Sequence, residues 1–154
     1  MRIEELDTAP LTQRHVLEFT YKHATGPAVG RFLAALKEQK QIWGQRVRGG
    51  GVVVPPLGYS EWDGTGAGEW VPVADRGTVV AVARVAEPIE RLHPFSEPFA
   101  YILVRLDGAD TSLLHVSKRD CDRVRIGARV EAVWKEDHER VGSILDIAEF
   151  RLLE

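Results

Sequence analysis

The sequence predicts a mainly β chain of the α+β class: an N-terminal strand and helix, a small ribbon, and a C-terminal five-stranded barrel. Three observations carry this. Val, Ile, Leu and aromatic residues gather in short runs after Arg76, each bounded by turn residues such as Asp107-Gly108 and Ile126-Gly127. Ahead of them, Val29 to Leu36 repeats apolar residues at helical spacing. Between the two, Gly44 to Gly68 is too rich in glycine, with Pro55-Pro56 in its middle, for a helix or a regular sheet.

Along residues 11–23, Leu17, Phe19 and Tyr21 alternate onto one face, which predicts a strand. Thr25-Gly26-Pro27 then signals a helix start, with proline where its missing N–H costs nothing. Val29, Phe32, Leu33 and Leu36 form the apolar stripe of an amphipathic helix, while Arg31, Lys37, Glu38 and Lys40 fall elsewhere. A helix ahead of a small ribbon has little of its own chain to cover it. The stripe therefore reads partly as core and partly as a surface for another protein.

Val52-Val53-Val54 and Trp70-Val71 read as short ribbon strands. The later runs span 77–86, 99–106, 111–116, 129–135 and 143–150, and K-R-D-C-D-R-V-R-I-G between the third and fourth has room for a helical turn. Strands in that number, with an excursion between the third and fourth, are the pattern of an OB-fold barrel. Pro88, Pro94 and Pro98 stiffen the loop between the first two barrel strands, a length often used as an interaction surface. The expected units are 1–43 (strand and helix), 44–75 (ribbon) and 76–154 (barrel).

With 154 residues, 44% of them hydrophobic, the chain can bury a core of about one domain. A formal charge of -3 sets up no broad field for a phosphate backbone. Cys121 is the only cysteine, which excludes an intramolecular disulfide and a thiolate cage and fits a reducing compartment. The start, M-R-I-E-E-L-D-T, is acidic where a signal peptide is apolar, and no apolar run reaches membrane-spanning length. The expected location is the cytoplasm.

The candidate site lies in R-V-R-G-G-G-V-V-V-P-P-L-G-Y-S-E-W-D-G, residues 46–64. Two-residue gaps separate Arg46 from Gly49 and Ser60 from Asp63, the positions where a zinc ribbon places its cysteines to close a tetrahedral site. The frame is present and the ligands are not. Asp63 alone could ligate a metal, and one carboxylate is not a site.

This succession of helix, ribbon with Pro55-Pro56, R-G-T-V-V at 76–80 and R-I-G-A-R-V-E-A-V-W at 125–134 resembles a known family. It is similar to the acyl-CoA-associated OB-fold proteins catalogued as domain of unknown function thirty-five, over residues 28–152. The resemblance implies a rubredoxin-like ribbon before the barrel. It also implies a non-catalytic accessory subunit that accompanies a thiolase-like enzyme, either a thiolase or an aldolase that shortens steroid side chains. Some members associate with acyl-CoA hydratases. The reaction, carbon–carbon bond cleavage or formation on an acyl-CoA ester, then belongs to the partner, and this chain supports the partner's fold beside the CoA channel.

The sequence departs from that family at all of the metal positions, so this ribbon is expected to be metal-free and the chain to hold no cofactor of its own. The contribution of zinc, about 10–16 kcal/mol in small zinc-dependent peptides, must come from elsewhere. Packing among Trp43, Tyr59, Trp62 and Trp70 is the expected replacement. The expected partner interface is Val29, Phe32, Leu33, Leu36, Tyr59 and Trp62. Arg46 and Arg48 are the candidate contacts to the phosphates of CoA, since guanidinium groups favour phosphate.

Other chemistries find less support. His15, His23, His93, His115 and His138 show no metal-ligand spacing, and nothing pairs one of them with Cys121 as nucleophile and base. The glycines at 49–51 do not lead into G-K-[ST], so no P-loop is present. The alternative is a free-standing OB-fold protein for single-stranded nucleic acid, with Tyr101, Arg105 and His115 on the barrel face; acidic neighbours and the negative net charge weigh against it.

Overall fold

The computed structural model describes residues 15–153 except 18 and 62. Helix α1 (Gly26–Gln39) starts where the sequence predicts, with Thr25 at the N-cap and proline in the first turn. It stops at Lys40, which adopts a left-handed φ of 50° and returns its N–H to the Ala35 carbonyl.

Strands β1 (Ile42–Arg46), β2 (Val52–Val53) and β3 (Trp70–Val73) form an antiparallel ribbon in the order β2-β1-β3. A Cβ on Gly44 would run into the side chains of Val52 and Val54, so glycine lets these segments close on each other. Phe32 and Leu36 of α1 pack into one core with Ile42, Val52, Val54 and Val73 of the ribbon segment. The ribbon thus rests on the helix rather than on its own width.

The barrel strands are β4 (Arg76–Val85), β5 (Phe99–Leu106), β6 (Leu113–Ser117), β7 (Arg129–Trp134) and β8 (Ile147–Leu152), antiparallel in the order β6-β5-β4-β7-β8. The end strands meet. Glu149 Oε2 accepts from the N–H groups of Lys118 (2.7 Å) and Arg119 (3.1 Å), and His115 Nε2 lies 3.2 Å from the Ile144 carbonyl oxygen. Closure in this order is the OB topology. Val79, Ile102, Val104, Val130, Ile147 and Phe150 fill the interior.

Gly77 is where β4 crosses closest to β5, and a Cβ there would strike the Arg105 carbonyl. Residues 118–128 form the expected turn, with the Val124 N–H bonded to Asp120 O at 2.8 Å and Val124 sealing the barrel end. Polar ties join the parts. Asp110 Oδ2 and Thr111 Oγ1 accept from the Val52 and Val54 N–H groups at 2.7 and 2.8 Å, and Arg140 Nε donates to Lys37 O at 2.7 Å.

Three expectations are corrected. The described part of residues 11–23 forms no strand: Leu17, Phe19 and Tyr21 are exposed, with no strand beside them to satisfy an alternating face. The last barrel strand begins at Ile147, because Ile144–Asp146 winds into a 3-10 turn in which the Ser143 hydroxyl accepts from the Leu145 N–H and the Asp146 carboxylate accepts in return from the Ser143 N–H. The aromatic cluster does not form among the described residues. Tyr59 is exposed, Trp43 and Trp70 are half-buried without a mutual ring contact, and Trp70 instead carries Arg31 4.4 Å above its ring. Aliphatic side chains under α1 hold the ribbon, and Trp62 lies outside the described residues.

Candidate functional site

The vacated knuckles form two tight turns. In the first, Val47 N–H bonds Gly51 O (2.9 Å), Gly50 N–H bonds Val47 O (3.0 Å) and Arg46 Nη1 donates to Gly50 O (3.1 Å). Gly49 and Gly50 hold φ of 101° and 98°, a conformation that glycine adopts without a Cβ penalty. In the second, Ser60 N–H bonds Thr65 O (2.7 Å), while Asp63 Oδ1 accepts from the Thr65 N–H (3.1 Å) and hydroxyl (2.7 Å).

Arg48 Nη1 then reaches Asp63 Oδ2 at 3.8 Å, so an ion pair links the two turns that a metal would have joined. The Thr65 bonds hold the Asp63 carboxyl below its usual range. Arg, Gly, Ser and an aspartate already engaged by Thr65 and Arg48 are not a zinc donor set. Among the described residues no group of three or more His, Cys, Asp or Glu side chains gathers as metal ligands.

The helix stripe divides. Phe32 and Leu36 are 2% and 0% exposed, taken by this chain's own core, which removes them from the expected partner interface. Val29 and Leu33 are half-buried, and Tyr59 is exposed on the ribbon. Val16, Leu17, Phe19 and Tyr21, just before the helix, are 72–80% exposed. Arg46 and Arg48 are both exposed on the first turn.

Cys121 is half-buried in the turn before β7, and its carbonyl accepts from Arg84 Nε at 3.0 Å. The nucleic-acid face does not assemble, because His115 points into the barrel against Phe150 (ring centroids 5.4 Å apart) while Arg105 is exposed on β5.

One feature escaped sequence reasoning. Across the β6–β8 seam runs an apolar groove of about 330 Å³, floored by Tyr101, Leu114, Val116, Ile144, Leu145 and Ala148, with Pro94 and Phe95 at its edge and Lys118 and Lys135 on its rim. Phe95 is fixed edge-to-face on Phe99 (5.2 Å), and Lys118 Nζ lies 5.0 Å above the Phe95 ring. Leu114 and Val116 share a face at strand spacing, a signal present in the sequence. The distant Leu145 and Pro94 were not connected to it.

Residues 70–135 match the family model described as "ChsH2, C-terminal OB-fold domain". The match runs from β3 through β7, so this part of the chain is similar to the ChsH2 OB-fold domain. No curated protein matches the chain. Among solved structures, the chain is similar to a protein of unknown function from the DUF35 family of Sulfolobus solfataricus, with 23% identity, 71% of this chain and 79% of that chain covered and a TM-score of 0.58. It is also similar to the "Ltp2-ChsH2(DUF35) aldolase", with 23% identity, 78% of this chain and 93% of that chain covered and a TM-score of 0.59. At this identity the likenesses speak for the fold, a mainly β chain with one helix, a three-stranded sheet and a five-stranded OB-type sheet.

Proposed function

We propose that this chain is a non-catalytic accessory subunit that docks on a thiolase-like enzyme, a thiolase or retro-aldolase acting on acyl-CoA esters, and steadies the region around its active site. The observation that carries the reading is the set of apolar side chains before α1, Val16, Leu17, Phe19 and Tyr21, left in solvent. Large apolar side chains exposed so close together are characteristic of a protein–protein contact. The family match supports it, as does the likeness to a fold that is part of an aldolase assembly. Tyr59 would extend this surface onto the ribbon, and the exposed Arg46 and Arg48 are the proposed contacts to CoA phosphates. Steroid side-chain or fatty acyl degradation is the pathway class that would use such a pair.

Co-expression with a thiolase-like companion from the same source, followed by affinity purification, tests this. A complex of fixed stoichiometry is expected. A solitary monomer that ignores every such companion would remove the proposal.

A further inference from the structure

The groove across the β6–β8 seam is separate from the surface assigned above. Its floor is mostly aliphatic, with Tyr101 and the buried His115 beside it, Leu114 and Leu145 stand 60% and 53% exposed on it, and no carboxylate lines it. Two ammonium groups stand on the rim, and among the described residues neither Lys118 nor Lys135 forms a salt bridge. Lys118 rests over the Phe95 ring and Lys135 feels the field of the buried Asp146, but among the described residues neither ammonium is closed off by a salt bridge. An apolar trough with this positive rim favours an apolar occupant flanked by negative charge.

The volume is at the lower end of the roughly 300–1,000 Å³ typical of small-molecule sites, room for a few aliphatic side chains rather than a whole cofactor. Leu114, Val116 and Lys118 follow each other at the two-residue spacing of a strand face, which suits an extended segment with alternate side chains pointing down. The edge of the groove is rigid: Phe95 and Tyr101 both pack edge-to-face on Phe99, at 5.2 and 4.9 Å. Phe95 and Tyr101 are therefore held edge-on by Phe99 and do not lie as a flat platform for bases.

We infer that this groove is a docking site for an extended apolar segment of a partner protein bearing Asp or Glu at its flanks, laid along the outer face of β6 with its carboxylates on Lys118 and Lys135. The inference rests on the proposed function for the source of the segment, the thiolase-like companion. It does not rest on that reading for the chemistry of the groove.

The test uses the full chain in complex with the companion. Leu114→Glu with Leu145→Glu, and separately Lys118→Glu with Lys135→Glu, should each weaken the complex by about tenfold or more. Ile126→Glu, exposed on a turn away from the groove, should leave it unchanged. Circular dichroism and melting temperature of the isolated variants establish that they fold. A complex indifferent to both groove variants overturns the inference.

If no companion binds even the unaltered chain, the functional reading fails on its own. The groove is then judged with a short fluorescein-labelled peptide of alternating valine and glutamate. Binding that Leu114→Glu with Leu145→Glu abolishes supports the inference. No binding of the peptide, or binding only of a labelled oligothymidylate, overturns it.

Discussion

Asp146 shows how one carboxylate sets a local structure. It is fully buried, and burial alone would raise its pKa, but the N–H groups of Val141, Gly142 and Ser143 together outweigh that and hold it below its ordinary value. A carboxyl whose folded pKa is depressed contributes stability that is present above its unfolded value of about 3.9 and lost as pH falls through the folded value. Asp146→Asn, which cannot serve all three donors, is expected to cost about 1–3 kcal/mol at neutral pH by urea unfolding. Its stability should also decline less than that of the unaltered chain below about pH 4. His115 acts in a higher window. Burial holds its pKa below the usual value, opposed by the Ile144 carbonyl, so the unfolded chain takes a proton that the folded chain refuses as pH falls below about 6.5. His115→Phe should flatten the melting temperature between about pH 6.5 and 5, where the unaltered chain loses stability; an unchanged slope would show that another group controls it. The Arg48–Asp63 pair is open to water, so it orients the two ribbon turns and contributes little to stability.

At the scale of elements, α1 replaces what a metal would do for the ribbon. Phe32 and Leu36 are its deepest side chains and pack with Ile42, Val52, Val54 and Val73 in the common core. Phe32→Ala is therefore expected to cost about 3–5 kcal/mol, read as a lower denaturant midpoint together with increased proteolysis between residues 47 and 68. Cleavage confined to the barrel would show that the helix does not hold the ribbon. Gly77 sets a different limit: an added methyl meets the Arg105 backbone carbonyl, which cannot rotate aside as a side chain would. Gly77→Ala should yield insoluble protein or one without its near-ultraviolet dichroism.

For the whole molecule, one core runs from α1 through the ribbon into the barrel, so the parts stabilise each other. Leu17→Ser with Phe19→Ser should leave the melting temperature of the isolated chain unchanged, because both side chains are already in water, while weakening the complex with a thiolase-like companion. A fall in melting temperature would instead make this segment part of the fold. Much of this architecture was legible beforehand. The start of α1, the ribbon strands at Val52–Val53 and Trp70–Val73 and the approximate barrel strands follow from periodicities of a few residues and from Pro and Gly, which act locally, whereas the central ribbon strand Ile42–Arg46 was not expected. Among the described residues of 11–23 the expected strand does not form, for a complementary reason: alternation reports a face, and only a neighbouring strand makes it a sheet. Phe32 and Leu36 of the stripe expected to face a partner are instead covered within this chain, by residues up to Val73 that the helical pattern could not reveal.

By itself the sequence determined the helix, most of the later strands with their order, and the loss of cysteine ligands, because propensity, turn chemistry and donor type belong to single residues and near neighbours. Tertiary structure alone decided which apolar side chains are covered, that Arg48 meets Asp63 between the empty knuckles, and that Pro94, Leu114 and Leu145 share a groove. Burial and charge pairing depend on segments brought together across the chain, and that proximity arises only when the sheets close.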